Sequence, residues 1–62
     1  ARIKASARHG VEWFIYDSEL SPERNHQLCA EAFAHGRQWL ERNRLVGGDL
    51  EGNCYCWVMI EK

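Results

Sequence analysis

The chain has 62 residues, 45% hydrophobic and 27% charged, with one proline and a formal net charge of −1. A chain of this size buries only about 60% of its unfolded surface, which bounds it to one small domain with a single core. The near-neutral charge excludes a strongly basic nucleic-acid binder, and no apolar run is long enough to span a bilayer as a helix.

The opening Ala1-Arg2-Ile3-Lys4 shows no signal-peptide pattern and is expected to be a cytosolic start after methionine removal. Ile3, Ala5 and Ala7 then alternate with Arg2, Lys4, Ser6 and Arg8, a period-2 pattern that predicts a strand. Alanine is a weak strand former, so a helix is the alternative there. His9-Gly10 supplies a turn and Val11 to Asp17 a second strand, which together predict a β-hairpin.

Ser21-Pro22-Glu23 is a helix start: serine caps free amides, proline suits the first helical position, and glutamate complements the positive end of the dipole. Leu28, Cys29, Ala32, Phe33, Gly36, Trp39 and Leu40 recur at helical spacing and form one apolar face. Gly47-Gly48 is expected to end that helix. Gly36, on the apolar face, is expected to allow close approach to a bulky sheet residue such as Trp13. Residues 47–53 are expected to form a loop, and Cys54 to Glu61 the final strand. The fold class is therefore α+β in the order β-β-α-β, a three-stranded antiparallel sheet with one long helix packed on one face. The last strand is expected beside the first.

Two of these strands have no polar face. Val11-Glu12-Trp13-Phe14-Ile15-Tyr16 and Cys54-Tyr55-Cys56-Trp57-Val58-Met59-Ile60 are nearly all apolar. Alternate side chains of a strand point to opposite faces, and one helix cannot cover both. Trp13, Ile15, Val58 and Ile60 are assigned to the helix-covered core. Phe14, Tyr16, Tyr55, Trp57 and Met59 are left as the uncovered surface.

Cys29, Cys54 and Cys56 make an odd cysteine count without a signal peptide. This argues against a disulfide framework and for three reduced, buried, small apolar side chains. They supply thiols for a metal site together with His9, His26 and His35, but one cysteine pair spaced by a single residue lacks the paired knuckles of structural zinc. His26 and Cys29 stand three apart on the helix, yet an apolar setting raises a thiol pKa and makes it inert. Gly47-Gly48-Asp49-Leu50-Glu51-Gly52 follows a helix and precedes a strand, the reverse of a phosphate loop. No catalytic residue, metal or cofactor is assigned, and the chain is not expected to be an enzyme.

Aromatic side chains with charged neighbours suit the centre of a protein interface. The carboxylates Asp17, Glu19, Glu23, Asp49 and Glu51 could steer such a surface to a basic partner. Partner binding is therefore assigned to these five acids with Phe14, Tyr16, Tyr55, Trp57 and Met59. The competing occupant is a second copy of the chain. The rival function is single-stranded nucleic-acid binding by Phe14, Tyr16, Tyr55 and Trp57 with Arg2, Lys4 and Arg8, with Glu12 on that face weakening it. No membrane partner is expected.

In size, compact β-β-α-β layout and acidic loops the chain resembles the small phage-encoded anti-CRISPR proteins that act on type I effector complexes. The resemblance covers the whole chain and rests on no diagnostic motif. It implies a non-catalytic inhibitor in the cytoplasm of a host bacterial cell. Such a protein docks on a Cas effector subunit and occludes its DNA-binding surface. Asp17, Glu19, Glu23, Asp49 and Glu51 would stand in for DNA phosphates as a local DNA mimic.

Overall fold

A computed structural model describes residues 1–8 and 10–62. The elements in chain order are β1 (Arg2–Ala7), β2 (Gly10–Ile15), α1 (Pro22–Gly36), a 3-10 turn (Trp39–Glu41), β3 (Asn43–Glu51) and β4 (Cys54–Glu61). The class is α+β, but the three-stranded sheet is corrected. Four strands form two separate two-stranded antiparallel sheets, β1–β2 and β3–β4, with no ladder between β1 and β4 among the described residues. Of the turn expected at His9-Gly10, His9 lies outside the described residues.

The extra strand lies where the end of the helix and the loop after it were expected. Asn43 to Val46 form the first part of β3, and Gly47 and Gly48, with φ of 135° and 99°, are absorbed as a register shift between Gly47 and Asp49. Beyond that shift Asp49-Leu50-Glu51 pairs with Cys54-Tyr55-Cys56. Gly52-Asn53 closes the hairpin as a two-residue turn, with Gly52 at φ 62°. Two-residue turns with glycine or asparagine at positive φ match the twist of the flanking strands. The glycines that suggested a flexible connection are thus the devices that let β3 turn and bulge.

The helix starts where serine and proline place it. The Ser21 hydroxyl accepts from the Arg24 N–H at 3.1 Å, and Pro22 and Glu23 fill the first turn. It ends eleven residues before Gly47, at Gly36, because Gln38 takes the left-handed conformation (φ 64°) and donates its N–H to the His35 carbonyl. Trp39 and Leu40, expected on its apolar face, instead sit in the 3-10 turn. Trp39 still meets Phe33 edge-on, ring centroids 5.7 Å apart.

Register decides which faces are covered, because directly opposed residues of an antiparallel pair share a face. Ile3 opposes Phe14 and Ala5 opposes Glu12, and this face lies against α1. Arg2, Lys4 and Ser6 oppose Ile15, Trp13 and Val11 on the other face. The described core is Ile3, Cys29, Phe33 and Ala34, with one buried polar residue, Asn25. The assignment of Trp13, Ile15, Val58 and Ile60 to the core is overturned: they are 52%, 86%, 62% and 41% exposed. The helix covers the Ile3–Phe14 side instead, and in the second hairpin the side of Leu45, Tyr55 and Trp57. Gly36 has no atom near a built-on Cβ, so it makes no close approach to Trp13.

Two side chains pin the first hairpin to the helix. At the amino end, Asn25 Oδ1 accepts from the Asp17 N–H at 2.8 Å, and its Nδ2 donates to the carbonyls of Asp17, Leu20 and Ser21 at 2.8, 3.2 and 3.0 Å. At the carboxyl end, the Arg37 guanidinium stacks 3.6 Å from the Phe33 ring centroid and pairs with Glu12 at 3.2 Å.

Asn25→Leu leaves these buried backbone groups unpaired and should cost about 3 kcal/mol in a urea unfolding titration. Gly47→Ala should also destabilise, because its Cβ would fall 2.6 Å from the Cys56 carbonyl oxygen at a positive φ. Gly36→Ala should be neutral or stabilising by up to about 1 kcal/mol, a readout of the open space around it.

Candidate protein interface

Each hairpin turns one face to the helix and leaves the other in water. On the first hairpin the outward strip is Val11, Trp13 and Ile15, every second residue of β2, all exposed. Arg2 and Lys4 flank it from β1, the Arg2 guanidinium 4.8 Å and the Lys4 ammonium 5.9 Å from the Trp13 ring centroid. Such cation–π contacts hold the two cations over the indole. Glu12 lies on the opposite face, taken up by Arg37. The outward face is therefore apolar and cationic, with no carboxylate among its described residues.

On the second hairpin Val46 opposes Val58, and Arg44 opposes Ile60. Val46, Val58 and Ile60 are exposed and adjoin one another across the pair. Towards the Gly52-Asn53 turn the same face of β4 carries Cys56 and Cys54, opposed by Asp49 and Glu51. One face thus runs from a cationic, apolar end at Arg44 to an acidic, thiol-bearing end.

The residues assigned to partner binding divide between surfaces. All five carboxylates are exposed. Asp17, Glu19 and Glu23 gather at the start of α1, where the Asp17 carboxylate accepts from the Glu19 N–H at 3.0 Å. Glu23 also lines a cleft of about 280 Å³ with Gln27 and Glu31 of the helix and Leu45, Gly47, Gly48 and Trp57 of the second hairpin. Phe14, Tyr16, Tyr55 and Trp57 are half-buried, and of the five apolar residues assigned only Met59 is exposed. Tyr55 stacks on His26 with ring centroids 4.5 Å apart and neighbours Trp57 at 6.4 Å. The basic strip does not share their face: Arg2 and Lys4 border Trp13 instead.

The exposed apolar strips were missed in the sequence, although a signal for the first was present. A tight turn opposing Ala7 to Gly10 places Lys4 opposite Trp13 and Ile3 opposite Phe14. The polar alternation of β1 then carries Trp13 outward. Asn25 and Arg37 were missed as well. A lone asparagine inside a helical pattern does not announce that its amide closes the preceding connection.

The cysteines are free but not alike: Cys29 is buried, Cys56 half-buried and Cys54 exposed. Burial raises the Cys29 thiol pKa. At Cys56 desolvation raises it first, followed by the Glu51 carboxylate through charge and a hydrogen bond. His26 gives its ring to Tyr55. Among the described residues no three His, Cys, Asp or Glu side chains form a group able to hold a metal. His9, a further ligand candidate, lies outside them. No described helix is long and apolar enough to cross a membrane.

Iodoacetamide should modify Cys54 first and Cys29 last, as mapped by mass spectrometry. Glu51→Gln removes a neighbouring negative charge, so the Cys56 pKa should fall and its alkylation at fixed alkaline pH should quicken. No protein-family model, curated protein or solved structure matches the chain.

Proposed function

We propose that this chain is a non-catalytic binding protein that docks on a protein partner through the outward faces of its two hairpins. The observation that carries the reading is the pair of contiguous apolar strips, Val11-Trp13-Ile15 and Val46-Val58-Ile60, left in water. Scattered exposed apolar residues need no explanation, whereas contiguous strips rimmed by charge mark interaction sites. Trp13, large, rigid and flanked by cations, has the make-up of an interface anchor. The half-buried Tyr55 and Trp57 support the second hairpin from beneath.

The resemblance to anti-CRISPR proteins supplies the class of partner: a DNA-binding surface of a bacterial nucleic-acid-handling complex, such as a type I effector. Asp17, Glu19, Glu23, Asp49 and Glu51 are free to meet its cations in place of DNA phosphates, and occlusion of that surface inhibits the complex. The direct test is target-DNA binding by a purified type I effector complex in the presence of the protein. Loss of DNA binding at stoichiometric protein is expected. Charge reversal of Asp17, Glu19 and Glu23 together, or Trp13→Ala, should weaken the inhibition at least tenfold. Unchanged DNA binding at large excess overturns the inhibitor reading for that complex.

One observation favours a second reading. The Arg2–Trp13–Lys4 stack, on a face without carboxylates, has the elements of a base-stacking platform for a single strand. Titration with oligothymidine separates the two. Tight binding that falls steeply with salt and vanishes in Trp13→Ala would replace the inhibitor reading.

A further inference from the structure

Among the described residues each of the four strands has one unpaired edge, and those of β1 and β4 border the same cleft. The Tyr16 N–H donates to the Ala1 carbonyl at 3.0 Å, so Ala1 and Tyr16 are a hydrogen-bonded pair. Bonded and non-bonded pairs alternate along an antiparallel ladder. Ile3 and Ala5 therefore bond to β2, while the main-chain N–H and C=O of Lys4 and Ser6 turn away from it. In the second hairpin the Lys62 N–H donates to the Arg42 carbonyl at 2.9 Å. By the same alternation Ile60 and Val58 bond to β3, and the main-chain groups of Met59 and Trp57 turn away.

These outward edges meet at a cleft of about 300 Å³, bordered by Ile3 to Ser6 of β1 and by Cys54, Tyr55 and Trp57 of β4. His26, Cys29 and Ala30 of the helix also line it. The cleft lies between the two sheets, with the helix that touches both forming part of its lining. Its lining includes Lys4 and no carboxylate among the described residues.

We propose that this seam takes an extended segment of the protein partner as an added β-strand, paired to the free edge of β1. Main-chain hydrogen bonds supply the affinity, as in strand addition generally. The side chains of the segment that face the helix meet Cys29 and Ala30 and must be small, and an acidic side chain on the segment pairs with Lys4. The inference rests on the protein-binding reading and names the form of the bound segment. A nucleic acid offers no such ladder of alternating amide donors and carbonyl acceptors.

The test uses a phage-displayed random heptapeptide library selected on the whole chain. Enriched peptides are expected to lack central proline, to carry Asp or Glu, and to alternate small or β-branched residues. Ser6→Pro removes a free-edge N–H without touching the β1–β2 ladder, and proline is tolerated at such edges. It should weaken peptide binding at least tenfold with circular dichroism unchanged. N-methylation of a central peptide amide should do the same on the unmodified protein, and bound peptide should slow amide exchange at Lys4 and Ser6. Failure to enrich any peptide overturns the inference, as does binding that survives N-methylation at every central amide. Binding lost in Trp13→Ala but not in Ser6→Pro overturns the seam while leaving the protein-binding reading in place. A concentration-dependent dimer abolished by Ser6→Pro assigns the seam to a second copy and overturns the proposal.

Discussion

The structure depends on the buried amide of Asn25. Only 3% exposed, it closes the six-residue connection between the first hairpin and the helix by bonding one main-chain N–H and three carbonyls. A connection of this length would otherwise hold unpaired polar groups against the core, each costly away from water. Because it is closed in one geometry, β2 reaches the helix with Phe14 turned inward. Arg37 then completes the attachment from the other end of the helix, stacked on Phe33 and paired with Glu12. The ion pair is half-exposed, so the stacking and positioning of its long side chain matter more than its charge.

From that attachment the distribution of surface follows. One 15-residue helix backs two hairpins, and each hairpin has two faces. The helix covers one face of each and leaves two apolar faces in water. The buried core among the described residues is correspondingly small, four apolar residues and one amide. A domain with so little core gains much from anything that covers its remaining apolar surface. Any occupant of those faces would therefore stabilise the fold as it bound. The open seam between the sheets belongs to the same economy, since hydrogen-bonding capacity left unused within the chain stays available to another.

Much of this was legible residue by residue. The Ser21-Pro22-Glu23 start of the helix, the first hairpin and the last strand follow from capping chemistry, alternation and apolar content. The excess of apolar strand surface over what one helix can cover was also legible. The side it would fall on was not. Trp13 and Phe14 are both large aromatic residues, and composition ranks neither as the inner one. Pairing with the alternating β1 strand decides between them, because Ile3 must be buried and Phe14 opposes it. The glycines at 47, 48 and 52 carried two meanings, helix stop or hairpin device. Local propensity cannot choose between these before Leu45 and Val46 have found Met59 and Val58.

By itself, then, the sequence determined the class, the helix start and the existence of surplus aromatic and aliphatic surface. Those properties depend on residues near one another in the chain, whose preferences act before any tertiary contact forms. Only the tertiary structure decided which faces are wet, where the helix stops, that Asn25 and Arg37 hold it, and that β1 and β4 leave a seam between them. Each of these is a long-range choice among nearly equal local alternatives. Register settles them, since a shift of one residue exchanges every inward side chain of a strand for an outward one.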